Sequence, residues 1–98
     1  MPAIETSKID LDLQLLRITQ VGEFMALRKS KLYADVSAGL LTPPIHHGAR
    51  ASVWPKYEIV AINAARLSGA SDDEVRKLVR RLIGKRAELA AQILGQAA

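Results

Sequence analysis

Arg28, Lys29 and Lys31 crowd a short polar stretch in the first third of the chain, and Arg50 follows just after Gly48. Guanidinium and ammonium groups placed this way bind phosphate oxygens, and arginine can also grip a guanine edge with two parallel hydrogen bonds. Ser30 stands inside the cluster and can bond either a base or a phosphate. Tyr33 follows it, with a ring to pack and a hydroxyl that can reach phosphate. Arg17 precedes the cluster and His47 lies before the glycine. This chemistry is recognition of a polyanion. A solvated helix face is the plain alternative for the three clustered cations.

The elements that must carry these residues follow from pattern. Thr19 can cap a helix over 20–27, with Val21, Phe24, Met25 and Leu27 on its apolar face. Gly22 weakens that helix by about 1 kcal/mol relative to alanine, so packing must hold it. A tight turn at 27–29 leads to a second helix that runs to about Ala38. Leu32 and Val36 face inward, and Gly39 suits its left-handed end. Arg28, Lys29, Ser30 and Lys31 then occupy its exposed first turn. Pro43 and Pro44 favour extended backbone. Residues 45–47 and 51–54 can pair as a hairpin with Gly48, Ala49 and Arg50 at the tip. A basic helix followed by a basic ribbon suits the two grooves of duplex DNA. Trp54 is expected to anchor the ribbon in the core.

Pro55 starts a third helix, with Glu58 in its first turn at the positive end of the dipole. Ile59, Ile62 and Ala65 form one apolar stripe and Val60, Ala64 and Leu67 another, which predicts burial on two sides. Gly69 ends this helix. Ser71 and Glu74 form a capping box for a fourth, expected from Asp72 to about Leu94. Its apolar stripe is Val75, Leu78, Val79, Leu82, Ile83, Leu89, Ala90 and Ile93. Arg76, Lys77, Arg80, Arg81 and Lys85 form a basic side, read as a solvated face before a second DNA contact. Gly84 is a point where the helix can bend or end. Fully formed it spans ~35 Å, more than so small a core needs. Ahead of all this, Ile9 to Leu15 alternates strictly, IDLDLQL, and predicts a strand with an apolar row. That strand can pair within its own domain or add to a neighbour's sheet.

Composition narrows the classes. The chain has 98 residues and a formal charge of +4, one small domain to which an anionic partner is suited. From Val36 to Tyr57 there is no acidic residue. There is no cysteine, so neither a disulfide frame nor a cysteine zinc site is expected. His46 and His47 are adjacent, point to opposite faces of a strand and have no evident third ligand, so no metal and no cofactor are expected. No apolar run is long enough to span a bilayer, and MPAIETSKID lacks a signal-peptide layout, which suits a cytoplasmic, nucleoid-associated protein. No phosphate loop or catalytic constellation is evident, so catalysis is not expected. A helical adaptor that binds protein alone is the competing class.

Residues 15–62 resemble the AlpA family of phage regulatory proteins and the related excisionases. The resemblance is carried in order by Leu15, Leu16 and Arg17, then by Leu27, Ser30, Leu32 and Tyr33. Gly39, Pro44, Gly48 and Arg50 follow, and Trp54, Glu58 and Ile59 complete it. The chain departs from the family at Arg28, where a capping serine is usual, and at Ala34, where a basic residue is common; Asp35 adds an acid beside it. The resemblance implies a mainly α fold, a MerR-like winged helix-turn-helix with a two-stranded wing and, here, an additional long C-terminal helix. The implied division is an N-terminal arm over 1–14, the DNA-binding domain over 15–68 and a helical extension over 71–98. It also implies double-stranded DNA as partner, with Arg17, Arg28, Lys29, Ser30, Lys31, Tyr33, His47 and Arg50 as contacts. Two roles share that fold. An excisionase, or recombination directionality factor, assembles along DNA beside an attachment site and works with an integrase. An AlpA-type regulator binds one operator of a mobile element and acts on RNA polymerase. The alternating strand and the long helix are spare surfaces for self-association, head to tail or as a dimer, and they favour the first role.

Overall fold

A computed structural model describes residues 13–49 and 51–97. The described chain is mainly helical, with a small antiparallel sheet of three strands in the order β1-β3-β2. Arg50 and the first residues of the alternating stretch, Ile9 to Asp12, lie outside the described residues.

The sheet corrects the expectation of a two-stranded ribbon. Strand β3, Ser52–Pro55, is its centre. Strand β2, Ile45–His46, pairs with it on one side. Strand β1, Leu15–Arg17, pairs on the other and sets Leu16 opposite Trp54. The backbone N–H of Lys56 extends this ladder to the carbonyl of Gln14 at 2.7 Å. Three residues are too few for alternation to announce a strand; long-range pairing makes β1.

Helix α1, Ile18–Met25, begins earlier than expected. Pairing with β3 holds Arg17 extended, so Arg17 and not Thr19 becomes the cap residue. The Gln20 side chain supplies the missing acceptor, taking the Arg17 N–H at 2.8 Å. The helix stops at Ala26, which turns left-handed at φ 55°. The Leu27 N–H then donates to the Gly22 carbonyl at 3.0 Å. This return explains Gly22: a Cβ there would stand 2.8 Å from the Leu27 carbonyl oxygen. Gly22→Ala should therefore destabilise by roughly 1–3 kcal/mol through crowding, although alanine is the better helix former. Urea midpoints check this; an unchanged or raised midpoint contradicts it.

Helix α2, Lys29–Ala38, buries Leu32 and Asp35. Gly39 closes it at φ 78°, as predicted. Helix α3, Lys56–Leu67, buries Glu58, Ile59 and Ile62. Its second stripe is a correction, since Val60, Ala64 and Leu67 are exposed, Leu67 at 90%. The chain packs α1, β3 and one long helix against α3, and these cover only one side of it.

Helix α4, Asp72–Ala97, starts at the predicted box. The Ser71 N–H donates to Glu74 at 2.8 Å, and the Glu74 N–H donates to the Ser71 hydroxyl at 3.2 Å. The hydrogen bonds from Ser71 hold the Glu74 carboxyl below the usual carboxylate range. The helix passes Gly84 without a break. Val75, Val79 and Leu82 join Leu16, Val21, Leu32, Leu41, Trp54, Ile59 and Ile62 in one core. Beyond Leu82 the helix runs on with Ile83 and Leu94 exposed. Among the described residues no helix is long and apolar enough to cross a membrane.

Candidate nucleic-acid interface

Side chains of α2 divide by their angle around the helix. Leu32 is buried, Asp35 is buried and Val36 is half-buried. Ser30, Ala34 and Ser37, spaced i, i+4 and i+7, form the opposite, exposed face, with Tyr33 beside them at 43% exposure. This face carries no acid and only short side chains besides Tyr33, so a helix presenting it can approach a groove floor closely. Sequence pattern singled out Ser30 and Tyr33; Ser37 is an addition, visible once the buried Leu32 and Asp35 fix which side of the helix faces out.

One border of this face is cationic. Arg28 and Lys29 line a shallow cleft together with Ile18, Thr19, Gly22, Glu23, Ala26 and Leu27. Ile18 also lines a second depression, shared with Arg17, His47, Ala51 and Ser52. A single surface therefore runs from the base of the β2–β3 hairpin, across the start of α1, to the first turn of α2. Arg17, Arg28, Lys29 and His47 are exposed on it, and Glu23 is its one acid. Among the described residues no acidic side chain pairs with Arg17, Arg28 or Lys29. Strand β1 explains how Arg17 reaches this surface, since alternation turns Leu16 inward and Arg17 outward.

Lys31 belongs elsewhere. Its ammonium pairs with the buried Asp35 carboxylate at 2.8 Å. A hydrogen bond from Arg66 holds the nearby Asp72 carboxyl below its ordinary range, and the charges of Arg66, Arg76 and, least, Lys31 add to it. The opposite border of α2 is thus a mixed-charge cluster of Lys31, Asp35, Arg66, Asp72, Asp73 and Arg76. The i, i+4 spacing of Lys31 and Asp35 was the available signal for this pair.

Arg76 is not part of a solvated basic face. It donates to the Ala38 carbonyl at 2.9 Å and to Asp73 at 3.0 Å, capping α2 from the side. Lys77, Arg80 and Arg81 remain exposed around Glu74. The residue that pattern missed altogether is Arg86. It donates twice to Glu58, at 2.8 Å each, and once to the Pro43 carbonyl at 2.7 Å. Its pKa is raised above the ordinary arginine value, first by the hydrogen bond to Glu58. Glu58, read from sequence as a dipole partner, is fully buried and holds α4 and the loop before β2 against α3.

His46 sits opposite Ser52 in the sheet and His47 lies just beyond, its N–H bonded to the Ala51 carbonyl at 2.9 Å. Both side chains are exposed. Among the described residues no group of three or more histidine, cysteine or acidic side chains could hold a metal ion. Compared with known proteins, the chain matches no family model, no curated protein and no solved structure.

Proposed function

We propose that the protein binds double-stranded DNA sequence-specifically as a MerR-like winged helix-turn-helix. In this reading α1 and α2 are the helix-turn-helix and the β2–β3 hairpin is the wing. The observation that carries it is the unbroken surface joining Arg17, Arg28, Lys29 and His47 beside an acid-free outer face of α2. Helix α2 enters the major groove with Ser30, Tyr33, Ala34 and Ser37 toward the bases. Arg28, Lys29, Arg17 and His47 take phosphates on one flank, and Arg50, which lies outside the described residues, is the expected contact to the neighbouring minor groove. Lys31 contributes a screened charge, because Asp35 already holds it.

The role that fits is an excisionase, a recombination directionality factor of a mobile element that assembles along DNA and works with an integrase. The length of α4 beyond Leu82 favours it. Ile83, Ala87, Ala90 and Leu94 follow a 4-3-4 spacing on that free portion, and all four are exposed, the pattern by which helices pair. Footprinting on the DNA that flanks the protein's own gene and the nearest integrase gene tests the role. A long series of protected sites in helical phase beside an attachment site is expected. A single short site overturns the excisionase role in favour of an AlpA-type regulator acting on RNA polymerase, and no protection at all leaves the helical adaptor.

A further inference from the structure

Helix α4 carries basic residues in pairs one turn apart, Arg76 with Arg80 and Lys77 with Arg81. Like charges at this spacing weaken a helix, so the clustering is a cost to the fold. Arg76 is accounted for by Asp73 and by the Ala38 carbonyl. Lys77, Arg80 and Arg81 are exposed, and no acidic side chain among the described residues pairs with them. They line one shallow depression with Glu74. The acids of the first turn are already engaged. Asp72 pairs with Arg66, Asp73 pairs with Arg76, and Glu74 takes the Ser71 N–H. The depression is therefore a patch of surplus positive charge that the fold does not use.

Its place in the fold gives it a partner. Arg76 reaches the carbonyl of Ala38, the last residue of α2, with its stem beside Gly39. Arg80 follows on the same side of α4, ~6 Å farther along the axis. Lys77 and Arg81 stand beside them, across α4 from the buried Val75 and Val79. At the other end of α2 stand Arg28 and Lys29. Cations thus lie beyond both ends of the helix whose outer face carries Ser30, Tyr33, Ala34 and Ser37. The ten residues of α2 span ~15 Å, and the major groove is ~12 Å wide between its phosphate walls. A helix of that length laid across the groove brings its two ends to opposite walls.

We propose that Lys77, Arg80 and Arg81 hold phosphates on the wall of the major groove opposite the one held by Arg28 and Lys29. Helix α4 is then a second clamp, and the outer face of α2 is fixed over the bases from both sides. The inference rests on the DNA-binding reading above and adds to it a contact from outside the helix-turn-helix and the wing.

The test compares Arg80→Gln with Arg81→Gln against Lys56→Gln with Lys85→Gln, which removes equal charge from α3 and from the far half of α4. Each full-length protein is titrated onto duplex DNA from upstream of its own gene. Near ~0.1 M salt the Arg80 and Arg81 variant should bind roughly tenfold more weakly for each residue removed, and its salt slope should flatten by about two. The control should change both far less. Arg80→Lys with Arg81→Lys keeps the charge and should keep the slope. Single neutral methylphosphonates in place of phosphates then locate the contact. In the parent they should weaken binding at two clusters that face each other across the major groove. The Arg80 and Arg81 glutamine variant should lose sensitivity at one cluster, and Arg28→Gln with Lys29→Gln at the other. Parent-like binding by the Arg80 and Arg81 glutamine variant, losses equal to the control's, or sensitivity lost at the Arg28 and Lys29 cluster would each overturn the proposal. If Arg28→Gln with Lys29→Gln still weakens binding in that case, the DNA reading stands without the second clamp. No binding by the parent overturns both.

Discussion

Trp54→Ala should destabilise the protein by roughly 3–5 kcal/mol, a large part of the ~5–15 kcal/mol that holds a domain of this size. Trp54 has no exposed surface and lies on the central strand, opposite Leu16. Its removal opens a cavity where β1, β3 and α3 meet. Its indole N–H also donates to the Thr42 carbonyl at 2.7 Å, which fastens the loop after α2 to the sheet. Trp54→Phe keeps one aromatic ring but loses that bond and part of the buried volume, so a loss smaller than alanine's, about 1–3 kcal/mol, is expected. Trp54 is the only tryptophan, so unfolding of both variants is followed by circular dichroism in urea. An alanine variant within about 1 kcal/mol of the parent would show that this residue is not the anchor of the ribbon.

Arg86→Ala should cost about 3–5 kcal/mol, because it strands the Glu58 carboxylate at zero exposure and leaves the Pro43 carbonyl without its donor. Arg86→Met combined with Glu58→Leu should recover most of that loss. Desolvation of a buried pair nearly offsets its attraction, so replacing both partners is mild where removing one is not. The pH dependence has a definite sign. In the parent the raised pKa of Arg86 gives stability that is present below the ordinary arginine value and is lost only as strong alkali titrates the group. Between neutral and mildly alkaline pH this pair therefore contributes a constant amount. Urea unfolding of the single and double variants at neutral pH decides between these outcomes. Equal losses in Arg86→Ala and in the double variant would contradict the account.

Much of the framework is legible in the amino-acid sequence. Gly39, the Ser71 and Glu74 box, the paired prolines and the hairpin each rest on chemistry that acts over a few residues, and each stands where pattern puts it. Partnerships across the chain are not legible in that way. Strand β1 exists because β3 offers an edge. Gly22 matters because Leu27 returns over it, and Glu58 is buried because Arg86 arrives from twenty-eight residues away. The two-sided burial expected of α3 fails for the same reason, since a helix wheel displays two apolar stripes without saying how many neighbours will cover them. The candidate interface is half legible. The cluster at Arg28 and Lys29 is visible in sequence. That Arg17 and His47 share its surface, and that Lys31 turns away to Asp35, depends on the third dimension.

The proposed grip of this surface on duplex DNA has a measurable signature in its salt dependence. Full-length protein is titrated onto a duplex carrying the DNA upstream of its own gene at several salt concentrations. The parent's log affinity should fall linearly with log salt, by about 0.9 for each phosphate engaged. Arg28→Ala combined with Lys29→Ala should weaken binding uniformly across sequences and flatten the slope by about one unit for each phosphate lost. Lys31→Ala, whose ammonium Asp35 already holds, should change both far less. A double variant that binds as tightly as the parent, with the same slope, would contradict the account.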